Sequence, residues 1–244
     1  MSNSTEIKYN NWHEGLGKKE STESVLKSQW YINIDQLLPK EFNGKILEIG
    51  CGRGDFSIYL AQRYPAATVF GTDFSNYAIE SANSKIPSTV ENLMFKTEDA
   101  QNLTFQDCEF DIIISCETLE HVTDQNKMLR EINRLLKKGG HYFVTTENYL
   151  NAMILSWIKT WISGKPFDSG SGLQPNENFM LFFLTKRKFI KAGFSKTKTL
   201  SNHIQWLLLP RVNPQKLCIE NVNNTFFKKL LKPFGRHFTY YGTK

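Results

Sequence analysis

Cysteine is scarce: the chain of 244 residues has four, Cys51, Cys108, Cys116 and Cys218, and they form neither a CxxC pair nor a zinc-finger spacing. No disulfide framework or structural zinc is expected, and the four are read as small buried thiols of a reducing, cytoplasmic setting. Long apolar runs are also missing. The longest, such as FMLFFL at 179–184, fall far short of the roughly 20 residues that span a bilayer. The opening MSNSTEIKYNNW has no apolar stretch behind a basic start, so no secretory leader is expected. Acid is rare in the last third, where Asp168, Glu177 and Glu220 face 15 Lys+Arg, a balance of +12 against −6 for residues 1–150. That asymmetry suits an anionic neighbour, whether a phosphorylated small molecule, nucleic acid or lipid headgroups, or else a solvated basic surface. There is no internal repeat and no low-complexity segment.

The length fits one α/β domain with insertions. Short apolar runs at 45–49 (KILEI), 68–72 (TVFGT), 92–96 (NLMFK), 110–115 (FDIIIS) and 141–146 (HYFVTT) alternate with helical patterns, which predicts a parallel sheet with crossover helices. In the clearest helix Met128, Leu129, Ile132, Leu135 and Leu136 share a face, with Asp124 to start it and Gly139-Gly140 to stop it. Val25, Leu26, Trp30, Ile34, Leu37 and Leu38 predict a leading helix that ends at Pro39. After residue 147 the rhythm changes. An amphipathic helix is expected over 149–163, then a loop (164–172), a basic helix over 185–194, a strand over 195–203 and a final strand over 236–243.

In ILEIGCGRGDF the first strand ends at Ile49 and the chain turns through Gly50, Gly52 and Gly54. Glycine lets the backbone pass close under a ligand and take a positive φ. The dinucleotide fingerprint needs a further glycine where this chain has Asp55. A carboxylate there opposes the pyrophosphate of NAD or FAD. S-adenosylmethionine has no phosphate and carries a sulfonium and an ammonium, which Glu48 and Asp55 complement, while its carboxylate suits the helix N-terminus. Asp73 closes the second strand where an acid accepts from a ribose diol, and Asp99-Ala100 after the third strand suits an adenine amino group. Taken singly, Asp55 or Asp99 reads equally well as a helix cap.

Together these residues resemble the class I S-adenosylmethionine-dependent methyltransferases: ExGxGxG at Glu48–Gly54, the acids at Asp73 and Asp99, and FDIIISCETLEHV as the fourth-strand motif. The likeness runs over about residues 25–200. It implies a Rossmann-like, doubly wound seven-stranded sheet, mostly parallel with an antiparallel last strand, and helical insertions over the active site. On that plan 1–44 is a helical cover, 45–146 the cofactor core, and 147–184 and 204–234 acceptor-side insertions. It also implies cofactor contacts from Cys51, Phe74 and Cys116 beside the residues already named.

Methyl transfer to a hydroxyl needs the oxygen held in line and its proton removed by a base or acidified by a metal. Glu117, Glu120 and His121, as ExxEH, lie where a parallel sheet presents such groups. In similar ubiquinone-biosynthesis and small-RNA 3′-end methyltransferases this motif supplies divalent-metal ligands, so the resemblance implies Mg²⁺ on these three residues. Three other readings stay open: LEHV without metal, Glu120 as a helix cap, and His121 as a base or a structural residue. His203 is a second base candidate, whereas His141 and His237 are expected in strands for structural reasons. The aromatics Tyr9, Trp12, Tyr149, Trp157, Trp161, Phe179, Phe182, Phe183 and Trp206, beside Lys186, Arg187, Lys188, Arg211, Lys228 and Lys229, suit an amphiphilic or phosphorylated acceptor and a peripheral membrane contact. O-methylation of a small, glycan or lipid-linked acceptor is the expected activity. RNA methylation, N-methylation and a catalytically silent scaffold are the alternatives.

Overall fold

The structure, a computed structural model, describes residues 3–15, 28–150, 158, 161–164, 175–178, 180–204 and 232–244. Expectations that rest on Val25, Leu26, Trp157, Phe179, Trp206, Arg211, Cys218, Lys228 and Lys229 lie outside the described residues. In chain order the elements are α1 (Asn3–Gly15), α2 (Gln29–Leu37), β1 (Lys45–Ile49), α3 (Asp55–Arg63), β2 (Thr68–Asp73), α4 (Asn76–Ser84), β3 (Leu93–Thr97), β4 (Phe110–Ser115), α5 (Gln125–Leu135), β5 (Leu136–Glu147), α6 (Phe182–Lys191), β6 (Lys198–Ile204) and β7 (Gly235–Thr243).

The strands form one sheet of seven in the order β3-β2-β1-β4-β5-β7-β6. Strands β1 to β5 pair in parallel, and β7 runs antiparallel to both β5 and β6. The order reverses between β1 and β4, which opens a crevice at the carboxyl ends of the strands. Side chains alternate across the sheet as the pleat requires. Ile46, Ile112 and Ile114 face the layer of α2 and α3 with Ile34, Phe56 and Leu60, while Leu47, Ile49 and Ile113 face α5 and α6 with Met128, Leu129, Ile132 and Phe189. Both faces are covered, so the strands read as continuous apolar runs.

Two boundaries differ from expectation. The helix α5 starts at Asp124 as anticipated, with the Asp124 carboxylate accepting from the Asn126 and Lys127 amides. It ends at Leu135, however, before the two glycines. Leu136 already pairs with Phe110 in β5, and the register then slips, so that Gly139, at φ +82, lies in an irregularity of the strand rather than at a helix end. The basic helix α6 starts at Phe182 instead of Thr185 and stops before Gly193, whose φ is +98. Of the expected 149–163 helix, Tyr149 and Leu150 are not helical, Tyr149 being fully buried, whereas positions 158 and 161–163 are helical with Ile158, Trp161 and Ile162 exposed. No helix among the described residues is long and apolar enough to cross a membrane.

Candidate functional site

Three alternating glycines of the turn after β1 have left-handed backbones: Gly50 at φ +74, Gly52 at +52 and Gly54 at +79. The Gly50 and Cys51 amides both donate to the Thr72 carbonyl, at 2.7 and 2.8 Å, which pins the turn to the end of β2. A Cβ at Gly50 would come within 2.1 Å of the Thr118 hydroxyl. Thr118, in the loop after β4, therefore interlocks that loop with the turn, and no pattern in the sequence marked it. At Gly52 the same test meets nothing nearer than His13, at 3.8 Å. That open concavity over a left-handed backbone is the kind of cradle into which a ligand fits closely.

Asp73 stands beside it. Its carboxylate accepts from the Gly52 amide and the Ser75 amide, each at 2.9 Å, which leaves lone pairs for a diol. Helix α1 lies across this region. His13 Nε2 is 3.8 Å from Asp73 Oδ1, Asn10 accepts from the Ser75 hydroxyl at 2.6 Å, the Arg53 guanidinium donates to the His13 carbonyl, and the Tyr9 ring meets Phe74 edge-on. Cys51 and Cys116 are buried, whereas Cys108, also expected to be buried, is exposed; burial pushes the Cys51 and Cys116 thiols well above the ordinary value. Asp99 forms a local turn, accepting from the Gln101 amide at 2.9 Å, and Ala100 packs against the core.

Two acids of the motif are held differently from expectation. Glu48 is buried and accepts from the Ser57 hydroxyl of α3; desolvation pushes its carboxyl up to about 7, with the Ser57 hydrogen bond pulling the other way and Asp55 and Asp73 adding to the rise. Asp55 binds the Lys85 ammonium through both oxygens, at 2.9 and 3.1 Å, with its side chain 8% exposed. Its charge is thus answered by Lys85 in this structure.

At the carboxyl end of β4 the backbone is strained: Glu117 has φ +47, a region that non-glycine residues rarely enter. Its amide donates to the Thr145 carbonyl and hydroxyl, at 3.2 and 3.1 Å. Its carboxylate faces His237 Nδ1 at 3.2 Å, so His237 belongs to this edge and not merely to its strand. Burial alone would raise the Glu117 carboxyl, but His237, Thr145 and His121 bring it below the usual value. Glu120 is fully enclosed, accepts from the Thr146 hydroxyl at 2.9 Å, and is pushed well up by burial and by Glu117. His121 Nδ1 lies 2.8 Å from the Asn176 carbonyl. A carbonyl only accepts, so Nδ1 carries the proton and Nε2 keeps the lone pair. Burial holds this imidazole below its ordinary value, against the Asn176 hydrogen bond and nearby acids.

The ligand atoms of Glu117, Glu120 and His121, the three residues expected to share Mg²⁺, do not come together within reach of one ion. Among the described residues the group whose ligand atoms lie within reach of one ion is Glu117, Glu147 and His237. The ExxEH set therefore does not fit Mg²⁺ in this structure. Of His203, only the backbone position is described, in β6 between Asn202 and Ile204.

Residues 40–171 match the methyltransferase domain family. A demethylmenaquinone methyltransferase of Staphylococcus saprophyticus is 30% identical over 202 residues, which cover 76% of this chain and 86% of that protein. A ubiquinone biosynthesis O-methyltransferase of Coxiella burnetii is 36% identical over 103 residues, 42% of this chain and 43% of that relative, so this match spans under half of the relative's length. Among solved structures, an S-adenosylmethionine-dependent methyltransferase of Thermotoga maritima, described as a possible histamine N-methyltransferase, is similar with a TM-score of 0.65 at 21% identity, covering 98% of this chain and 97% of the other. Phosphoethanolamine N-methyltransferase 2 of Haemonchus contortus, solved with S-adenosyl-L-methionine, gives a TM-score of 0.64 at 15% identity, over 97% of this chain and 60% of the other. At these identities the two structures speak for the fold alone.

Proposed function

Since the chain belongs to the methyltransferase domain family, as a class I S-adenosylmethionine-dependent methyltransferase, we propose that it methylates a hydroxyl on a small ring-type acceptor, with His121 as the base. The carrying observation is the Nδ1 contact of His121 with the Asn176 carbonyl. It leaves Nε2 unprotonated at the end of β4, and burial keeps the ring neutral near pH 7.

The glycine turn and Asp73 fit the cofactor: the concavity at Gly52 takes its backbone-facing part, and the free lone pairs of Asp73 take the ribose. Bound there, the cofactor supplies an electrophilic methyl for in-line transfer to the acceptor oxygen. The chain's own part is positional. Thr118 ties the loop after β4 to the turn, and the Tyr9 hydroxyl and Asn176 amide both donate to the His121 carbonyl, at 3.0 and 2.9 Å, fixing the base. His121 then takes the hydroxyl proton as the methyl is transferred. Relatives named for demethylmenaquinone and ubiquinone biosynthesis support a hydroxylated or quinol-like ring.

A lipid-linked form of that acceptor is favoured by α6, which exposes Phe183, Leu184 and Ile190 beside the exposed Lys186, Arg187 and Lys191. Apolar side chains flanked by cations suit an anionic membrane surface.

The test is methyl transfer to matched catechol, quinol and aniline acceptors, with and without phosphatidylglycerol vesicles. Turnover of the hydroxyl compounds, raised by vesicles, is expected. Turnover of the amines alone would overturn the oxygen acceptor, and indifference to vesicles would overturn the lipid-linked one.

A further inference from the structure

Glu147 ends β5, His237 lies near the start of β7, and the two are direct cross-strand partners. Across the other edge of β7, His237 is the register partner of Asn202 in β6. Directly opposed residues put their side chains on one face, so Glu147, His237 and Asn202 form a row across three strands. The strained turn at Glu117 brings a second carboxylate to this row from β4, against His237. One ligand atom from each of Glu117, Glu147 and His237 lies within 4.8 Å of the others.

Oxygens here lack protein donors. Glu117 Oε1, Glu147 Oε2 and Asn202 Oδ1 are buried with no hydrogen-bond partner, in side chains of which Glu147 is 6% and Asn202 1% exposed. Orphaned buried acceptors are costly, and more so when charged. The nearby cation is Arg236, whose Nη2 is 3.4 Å from Glu147 Oε1, the other oxygen of that carboxylate. A positive group that takes several oxygens and one imidazole at once would satisfy the row.

We infer that Glu117, Glu147 and His237 bind one divalent cation at the carboxyl ends of β4 and β5 and the start of β7, a site distinct from the ExxEH set and sharing only Glu117 with it. Two carboxylates and an imidazole suit Mn²⁺ or Zn²⁺ better than a soft ion. With three protein ligands the ion keeps positions for acceptor oxygens, so the inference deepens the hydroxyl-acceptor reading and rests on it for its use, though not for its existence.

The experiment therefore needs no acceptor. Metal-stripped protein is titrated with Mn²⁺, followed by electron paramagnetic resonance of the free ion and by competition with Zn²⁺. Cofactor binding and the thermal midpoint are measured in parallel as controls of folding. One bound Mn²⁺ per chain is expected, weakened at least tenfold in Glu147→Gln and in His237→Gln and unchanged in Glu120→Gln. If one of the first two variants does not fold, the other and Glu117→Gln carry the test. No Mn²⁺ or Zn²⁺ bound by folded wild-type protein overturns the site, as does binding that Glu120→Gln abolishes and Glu147→Gln leaves intact. Either result leaves cofactor binding as an independent measure of the methyltransferase reading.

Discussion

The cofactor edge and the acceptor edge of this sheet are built in different ways. At the first, the turn after β1 is tied to the next strand by adjacent segments: Thr72 receives two amides of the turn and Asp73 a third. Asp73, Ser75 and Asp55 each have polar partners in the protein there. At the second, Glu117 meets His237 from 120 positions away, the backbone is strained, and buried carboxylate oxygens lack partners. The contrast separates the turn proposed to hold the cofactor from the strained edge, with buried carboxylate oxygens lacking partners, where we propose that chemistry is done.

Changes at the two edges should separate binding from turnover. The largest effect is expected of His121→Gln, which removes the proposed base: kcat on a hydroxyl acceptor should fall about 10²- to 10⁴-fold. In the wild type the acid limb of kcat should lie below the ordinary imidazole value of about 6.5, because burial lowers the His121 pKa. An acid limb above that value would remove His121 from the role.

On the cofactor side Glu48 is buried, with the Ser57 hydroxyl as its partner. Its carboxyl is raised to about 7 in the fold, so the folded state holds its proton longer than the unfolded chain does. Stability should then fall as pH rises from the ordinary carboxylate range through about 7. Glu48→Gln, which keeps an acceptor for Ser57, should remove that slope. By urea unfolding it should gain up to about 3 kcal/mol over wild type at pH 8, and nothing at pH 4. Equal stability at both pH values would show that Glu48 is not buried as described.

The smallest effect belongs to Asp55. Its pair with Lys85 is mostly enclosed, and Asp55→Asn should cost about 1 kcal/mol of stability with cofactor affinity little changed. A large loss of affinity without loss of stability would return Asp55 to the cofactor.

Legibility in the sequence follows the same divide. Strands β1 and β4 match their apolar runs residue for residue, and α5 begins at its Asp124 cap, because local pattern and local chemistry agree there. Gly139-Gly140 misled because glycine serves a strand irregularity as well as a helix end. The motif acids were found by spacing, yet spacing did not show that Asp55 would meet Lys85 or that Glu120 would turn to Thr146. Glu147 and His237 carried no local signal: only the antiparallel pairing of β5 with β7 brings them together, and that pairing depends on the topology of the whole sheet.

The separation of the two edges is tested most directly by titrating S-adenosylmethionine into wild type, Asp73→Ala and His121→Gln by calorimetry. Loss of hydrogen bonds to a charged acceptor, about 1.5–3 kcal/mol, predicts affinity at least tenfold weaker for Asp73→Ala, with His121→Gln binding as wild type does. Wild-type affinity in Asp73→Ala, or a comparable loss in His121→Gln, would contradict the account.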